Sequence, residues 1–198
     1  MTSAIDFDAL ILAGGESRRM GTDKSLLPFG GRTLIEHIAD QLIPIAREVR
    51  ISTGGQALHA GLGLPLVPDI QPGFGPLMGI ASGLRTSSRD WTLVVATDIP
   101  ELPLKLLDTL WEYTGGARCI VPRTSDGRIH PLFALYHRTL AEEMLAFLHR
   151  GERRVLDFIG CCGATILEAP AVKIANLNDR SAYEAALEWP PNAGAETS

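Results

Sequence analysis

The chain has 198 residues, a formal net charge of −5, 45% hydrophobic residues, 20 Gly and 13 Pro. A chain of that length buries roughly 70% of its unfolded surface without a disulfide or metal staple, and its apolar share excludes intrinsic disorder. Its acidity disfavours coating nucleic acid, and no apolar stretch reaches the ~18 residues of a membrane span, so neither is an expected partner.

Residues 5–13 end in an apolar run stopped by Gly14-Gly15, the pattern of a buried parallel strand. Thr33 and Glu36 have capping-box spacing ahead of a stripe of Leu34, Ile35, Ile38, Leu42 and Ile45, with Pro44 placed to kink or end that helix. Strands are predicted at Val49–Thr53 and Leu64–Val67, then a loop from Pro68 to Gly75. Pro76 suits the first turn of a helix reaching Thr86. Trp91–Thr97 is the clearest strand, closed by Asp98.

The second half continues the alternation. Helices are predicted at Pro103–Tyr113, 138–149 and 153–159, and strands at Arg118–Pro122, Leu132–Tyr136, Thr165–Leu167 and Val172–Ala175. Asp179 would cap a last helix to Trp189, and residues 190–198 read as a disordered tail. The pattern implies an α/β fold of three layers, with a mostly parallel central sheet and helices on both faces. Such sheets bind ligands beyond their strands' carboxyl ends, which directs attention to residues 12–24, 52–55, 68–79 and 98–100.

Thirteen of the 20 Gly lie within residues 1–83, the first sign of a backbone-lined site. The segment Leu12-Ala13-Gly14-Gly15-Glu16-Ser17-Arg18-Arg19-Met20-Gly21-Thr22-Asp23-Lys24 follows a strand and joins close-approach glycines to cations. It is neither a Walker A loop nor a dinucleotide fingerprint. It is either an anion site or a structural turn, and its cations favour the first. Asp98, at a strand's carboxyl end, is either a Mg²⁺ ligand or a turn residue. Asp69 and the turn Gly73-Phe74-Gly75-Pro76-Leu77-Met78-Gly79 make weaker cases. Arg150-Gly151-Glu152-Arg153-Arg154 is a cationic cluster, and either a solvated helix start or a second phosphate site. Asn176-Leu177-Asn178-Asp179 reads as a cap or as metal ligands, and His130 as structural or functional. Cys119, Cys161 and Cys162 fit neither a disulfide framework nor zinc spacing, and read as reduced thiols. The N-terminus lacks the marks of a signal peptide, so a cytoplasmic location is expected.

These residues resemble a known family. The run LAGGESRRMGTDK is similar to the opening loop of enzymes that transfer a nucleoside monophosphate from an NTP. Asp69, Gly75–Gly79, Thr97–Pro100, His130-Pro131, Gly151–Val155 and Asn176–Asn178 extend the likeness in order along nearly the whole chain. The match is to the molybdenum cofactor guanylyltransferases of the MobA-like NTP transferase family, with GERRV and NLN as its narrowest parts.

The resemblance implies a Rossmann-like nucleotidyltransferase fold and transfer of GMP from GTP to molybdenum-bound molybdopterin, with Mg²⁺ as cofactor. A related cytidylyltransferase or a sugar-phosphate nucleotidyltransferase is the alternative. A non-catalytic nucleotide-binding regulator is disfavoured by the presence of both Lys24 and Asp98. Arg18, Lys24 and Asp98 would be catalytic. Leu12, Ala13, Gly14, Gly15, Lys24, Ser52, Asp69, Gly79 and Asp98 would contact GTP. His130, Arg153, Arg154, Asn176 and Asn178 would face molybdopterin, and Asp98 and Asn178 would hold the metal. Ser52 stands where a close relative within the family carries an Asn, and reaches less far. The expected organisation is one domain over 1–189, with residues to about 100 binding GTP and the remainder binding molybdopterin. Proteins that deliver molybdopterin or mature molybdoenzymes would be compatible partners.

Overall fold

A computed structural model describes residues 5–13, 24–54, 59–177, 181, 183 and 184. In chain order the elements are β1 (Phe7–Leu12), β2 (Pro28–Phe29), β3 (Arg32–Thr33), α1 (Leu34–Leu42), β4 (Val49–Ser52), β5 (Leu66–Val67), α2 (Pro76–Thr86), β6 (Trp91–Ala96), α3 (Leu104–Glu112), β7 (Cys119–Arg123), β8 (Phe133–His137), α4 (Leu140–His149), α5 (Val155–Cys161) and β9 (Thr165–Glu168).

Seven strands form one sheet in the order β5-β4-β1-β6-β8-β7-β9. Strands β5, β4, β1 and β6 pair in parallel, as do β7 and β9. β8 runs antiparallel to both neighbours. Only the nine residues from Thr124 to Leu132 separate β7 from β8. A parallel crossover needs a dozen or more, so the chain turns back on itself. The same turn brings His130 to the edge where β6 ends.

Alternation along β1 builds both cores. Phe7, Ala9 and Ile11 pack with α1 and α3, whereas Leu10 and Leu12 join α2, α4 and α5. Helices therefore cover both faces, as expected. Asp8 interrupts this pattern inside the sheet. It faces Arg50 of β4 at 3.5 Å, and the two side chains are 0% and 3% exposed. Arg50 also donates to the Gly83 carbonyl at 3.0 Å and to Thr86 Oγ1 at 2.7 Å. Asp8 Oδ2 accepts from Ser87 Oγ at 2.7 Å and from the Ser88 amide at 3.1 Å. These bonds offset the cost of burying the pair.

Local details depart from expectation in three places. Glu36 accepts from the Thr33 amide at 2.7 Å and caps α1 as foreseen. The helix nevertheless stops at Leu42, so Ile45 lies beyond it at 39% exposure rather than on its buried stripe. Pro44, two residues beyond and without an N–H, ends the helix as its place in the sequence foretold. β2 and β3 form a small hairpin that the pattern did not suggest, turning at Gly30 and Gly31 with φ of 58° and 82°. Val172–Ala175 is not a strand. That segment leads into the sheet's carboxyl edge, where the Leu177 amide donates to the Asp98 carbonyl at 2.7 Å. Cys161 is exposed, whereas Cys119 and Cys162 are buried thiols. The expected last helix lies largely outside the described residues, of which Ser181, Tyr183 and Glu184 are helical. Residues 190–198 lie outside them altogether. No helix among the described residues is long and apolar enough to cross a membrane.

Candidate functional site

The parallel strands end along one edge, and that edge collects the predicted residues. Leu12 closes β1, Ser52 closes β4, Asp69 follows β5, and Asp98 follows β6. The Ala13 amide donates to the Ser52 carbonyl at 2.9 Å, and Thr97 Oγ1 donates to the Leu12 carbonyl at 3.4 Å. These bonds tie three strand ends together.

Ser52, Asp69 and Gly79 form one group. Burial holds the Asp69 carboxyl above the usual carboxylate range, and the neighbouring Ser52 hydroxyl opposes that rise. Asp69 Oδ1 is buried with no hydrogen-bond partner among the described residues. Gly79 lies one turn into α2. A Cβ there would fall 2.6 Å from Ser52 Oγ and 3.2 Å from Leu12 Cδ2. Glycine is therefore required by close approach rather than by φ. Ser52 is 2% exposed.

Asp98 organises the second group. Asn176 Nδ2 donates to Asp98 Oδ2 at 3.2 Å. Burial raises the Asp98 pKa, and Asn176 and the Lys24 ammonium oppose that rise. Asp98 Oδ1 is buried with no hydrogen-bond partner among the described residues. Lys24 opens a short 3-10 turn, and its Nζ donates to the Leu177 carbonyl at 2.9 Å. Residues from the two ends of the chain thus meet at one carboxylate.

A buried, unpartnered carboxylate oxygen at a strand end fits a hard divalent cation. Among the described residues no three of His, Cys, Asp and Glu gather into a protein-only metal cage.

His130 sits beside this group, 8% exposed. Its Nε2 lies 2.8 Å from Thr124 Oγ1, and that hydroxyl donates to Asp126 Oδ1 at 2.6 Å. With the hydroxyl hydrogen committed to a carboxylate, Nε2 must be the donor and Nδ1 is left as acceptor. Burial holds the His130 pKa below the usual histidine value, against the pull of Asp126 and Asp98. Thr124 and Asp126 were not foreseen. Their signal was weak, a Thr and an Asp in an ordinary turn before Gly127.

The Arg150–Arg154 cluster separates in space. Arg150 pairs with Glu152 at 3.4 Å, and Arg154 pairs with Asp157 at 3.8 Å. Arg153 instead donates to the Gly73 carbonyl at 3.3 Å, and its guanidinium carbon lies 4.5 Å from the Phe74 ring centroid. Phe74 was also missed, although an aromatic between two glycines before a helix was its signal. Gly14, Gly15, Arg18 and Asn178 lie outside the described residues. A cleft of about 630 Å³ lined by Glu48, Arg50, Leu66, Ile70, Ser82 and Arg85 shares none of these site residues.

Known proteins resemble this chain in sequence and fold. Residues 9–164 match the profile of the MobA-like NTP transferase domain. A molybdenum cofactor guanylyltransferase from Serratia proteamaculans is 36% identical over 195 residues, covering 96% of each chain. One from Cereibacter sphaeroides is 42% identical over 160 residues, covering 78% of this chain and 81% of its own. Among solved structures, molybdopterin-guanine dinucleotide biosynthesis protein A from Archaeoglobus fulgidus superposes with a TM-score of 0.77 at 22% identity, covering 92% of this chain and 97% of its own. That last likeness concerns the fold.

Proposed function

The chain belongs to the MobA-like NTP transferase family, and from that premise we propose that it transfers GMP from GTP to the phosphate of molybdenum-bound molybdopterin, releasing pyrophosphate. The substrates follow the names of its full-length relatives. The observation that carries the chemistry is Asp98, half-buried at a strand's carboxyl end, with one oxygen held by Asn176 and the other buried and unpartnered among the described residues.

The acceptor is a phosphate monoester whose second pKa is near ~6, so it is largely dianionic at pH 7. It needs no general base. Its oxygen attacks the α-phosphorus of GTP, and the bond to the bridging oxygen of pyrophosphate breaks. The barrier is repulsion between two anions and the alignment of attacking and leaving groups. Mg²⁺ bound at Asp98, with Asn178 as a second ligand, would supply neutralisation of α-phosphate charge. Lys24, placed by its bond to the Leu177 carbonyl, and Arg18 would hold the β- and γ-phosphates and the leaving group.

Guanine presents one acceptor and adjacent N–H donors. Backbone groups at Leu12, Ala13, Gly14, Gly15 and Gly79 would pair with these, and Asp69 Oδ1 would accept from an N–H or O–H of the nucleotide. A pocket built to satisfy those groups rejects adenine, whose edge leaves them unpaired. His130, Arg153, Arg154 and Asn176 would line the acceptor side. The nucleotide would thus rest on residues to about 100 and the acceptor on those after. Proteins that deliver molybdopterin, or that mature molybdoenzymes, would be met on that acceptor side. Reduced thiols and the acceptor's chemistry fit a cytoplasmic setting.

Thermal-shift measurements with GTP, CTP and ATP, each with Mg²⁺, test the base preference. GTP is expected to stabilise most. Equal or greater stabilisation by CTP would move the chain to the cytidylyltransferases.

A further inference from the structure

The GMP-transfer reading leaves open how the acceptor phosphate is caught, and one contact addresses it. Among the described residues, every arginine except Arg153 has a carboxylate within 4.0 Å. The carboxylates nearest in sequence, Glu152 and Asp157, are taken by Arg150 and Arg154. Arg153 is instead held by neutral groups, the face of Phe74 at 4.5 Å and the Gly73 carbonyl at 3.3 Å. Its positive charge is therefore positioned, with no carboxylate within 4.0 Å among the described residues.

The backbone fixes that position. Gly73 and Gly75 have φ of 85° and 76°, in the region that residues with a Cβ rarely adopt. They set the half-buried Phe74 at the mouth of α2, and Gly75 is that helix's N-cap. One turn further in, Gly79 meets Ser52 and Asp69. The clamp thus joins the Arg153 segment to the helix that borders the nucleotide group. A ring face and one carbonyl occupy one side and one N–H of a guanidinium that carries five N–H donors. The remaining donors can bind a phosphate in a two-pronged fashion.

We propose that Phe74 is a positioning residue that holds Arg153 as the anion receptor for the acceptor's phosphate monoester. This rests on the GMP-transfer reading for the acceptor's identity, but the anion-receptor role is testable without it. Holding the guanidinium in place before binding lowers the ordering cost of each bond it makes.

Two measurements test this. In the first, the Arg153 Nε–H resonance of the whole chain is followed by NMR during titration with ethyl phosphate, in wild type, Phe74→Ala and Phe74→Tyr. The wild-type resonance is expected to move and saturate, Phe74→Ala to require ~3–5-fold more ligand, and Phe74→Tyr to match wild type. A wild-type resonance that ethyl phosphate does not move overturns the proposal. In the second, KM for molybdopterin is expected to rise ~3–5-fold in Phe74→Ala and to recover in Phe74→Tyr, with KM for GTP within twofold. An unchanged acceptor KM, or an equal rise for GTP, overturns the positioning role. If ethyl phosphate moves the resonance and wild type transfers no GMP, the transfer reading falls and the anion-receptor role is supported.

Discussion

The Asn176 amide donates to Asp98 Oδ2 at 3.2 Å across a separation of 78 residues, orienting a carboxylate whose buried Oδ1 has no hydrogen-bond partner among the described residues. Its place beyond a strand's carboxyl end, with the Lys24 ammonium close by, separates it from the unpaired Asp8 Oδ1 inside the sheet. That place is consistent with a ligand that arrives later.

Asp98→Asn should therefore separate function from stability. Transfer is expected to fall by ~10²–10³-fold, the scale of losing one preorganised electrostatic contact. Burial raises the Asp98 pKa, so the folded chain keeps that proton to a higher pH than the unfolded chain. Between the two pKa values the folded state binds more protons, and stability falls as pH rises through that window. At neutral pH the ligand-free variant is expected to melt ~2–4 °C higher, the shift that about 1 kcal/mol produces in a chain of this size. That advantage should shrink as pH drops and the wild-type carboxyl protonates. Thermal melts at pH 7.5 and pH 4.5 would check both signs.

Two glycines of α2 should respond differently to one methyl group. At Gly79 a Cβ would lie 2.6 Å from Ser52 Oγ, beside Asp69. Gly79→Ala is expected to weaken GTP binding roughly tenfold, about 1.4 kcal/mol, with little loss of stability. At Gly83 a Cβ would lie 2.3 Å from Leu10 Cδ2 in the core. Gly83→Ala is expected to cost ~1–3 kcal/mol of stability and leave GTP affinity alone. Calorimetric titration and urea unfolding of the pair would test this.

Removing the Arg50 side chain should damage the fold rather than the site. Arg50→Met strands Asp8 inside the sheet and removes the guanidinium N–H from the Gly83 carbonyl and Thr86 Oγ1. A destabilisation of ~3–5 kcal/mol is expected, as when one partner of a buried pair is lost. The Asp8→Asn, Arg50→Met double variant should recover part of it, because no uncompensated charge then remains. Urea midpoints of the three proteins would measure the coupling.

Much of this was legible in the sequence where local chemistry decides structure. The apolar run into Gly14, the Trp91 strand, the Thr33–Glu36 cap and Pro76 at a helix start each carry their own reason. So did the position of Asp98, because parallel strands deliver their carboxyl ends to one edge. What was illegible depended on distant partners. Nothing near Arg50 announces Asp8, and nothing near Arg153 announces Phe74. The Val172–Ala175 stretch is apolar enough for a strand, but the chain there leads to the Asp98 carbonyl. The glycines divide likewise: Gly79 serves the site, whereas Gly83 serves the packing of α2 on β1.

The most direct measurement is product detection. The purified chain, GTP and Mg²⁺ would be incubated with molybdenum-bound molybdopterin, with mass spectrometry of the small-molecule fraction and pyrophosphate release followed together. Formation of the guanine dinucleotide with one pyrophosphate per dinucleotide, lost in Asp98→Asn, is the predicted result. Pyrophosphate release without the dinucleotide, or a cytosine dinucleotide formed faster from CTP, would contradict it.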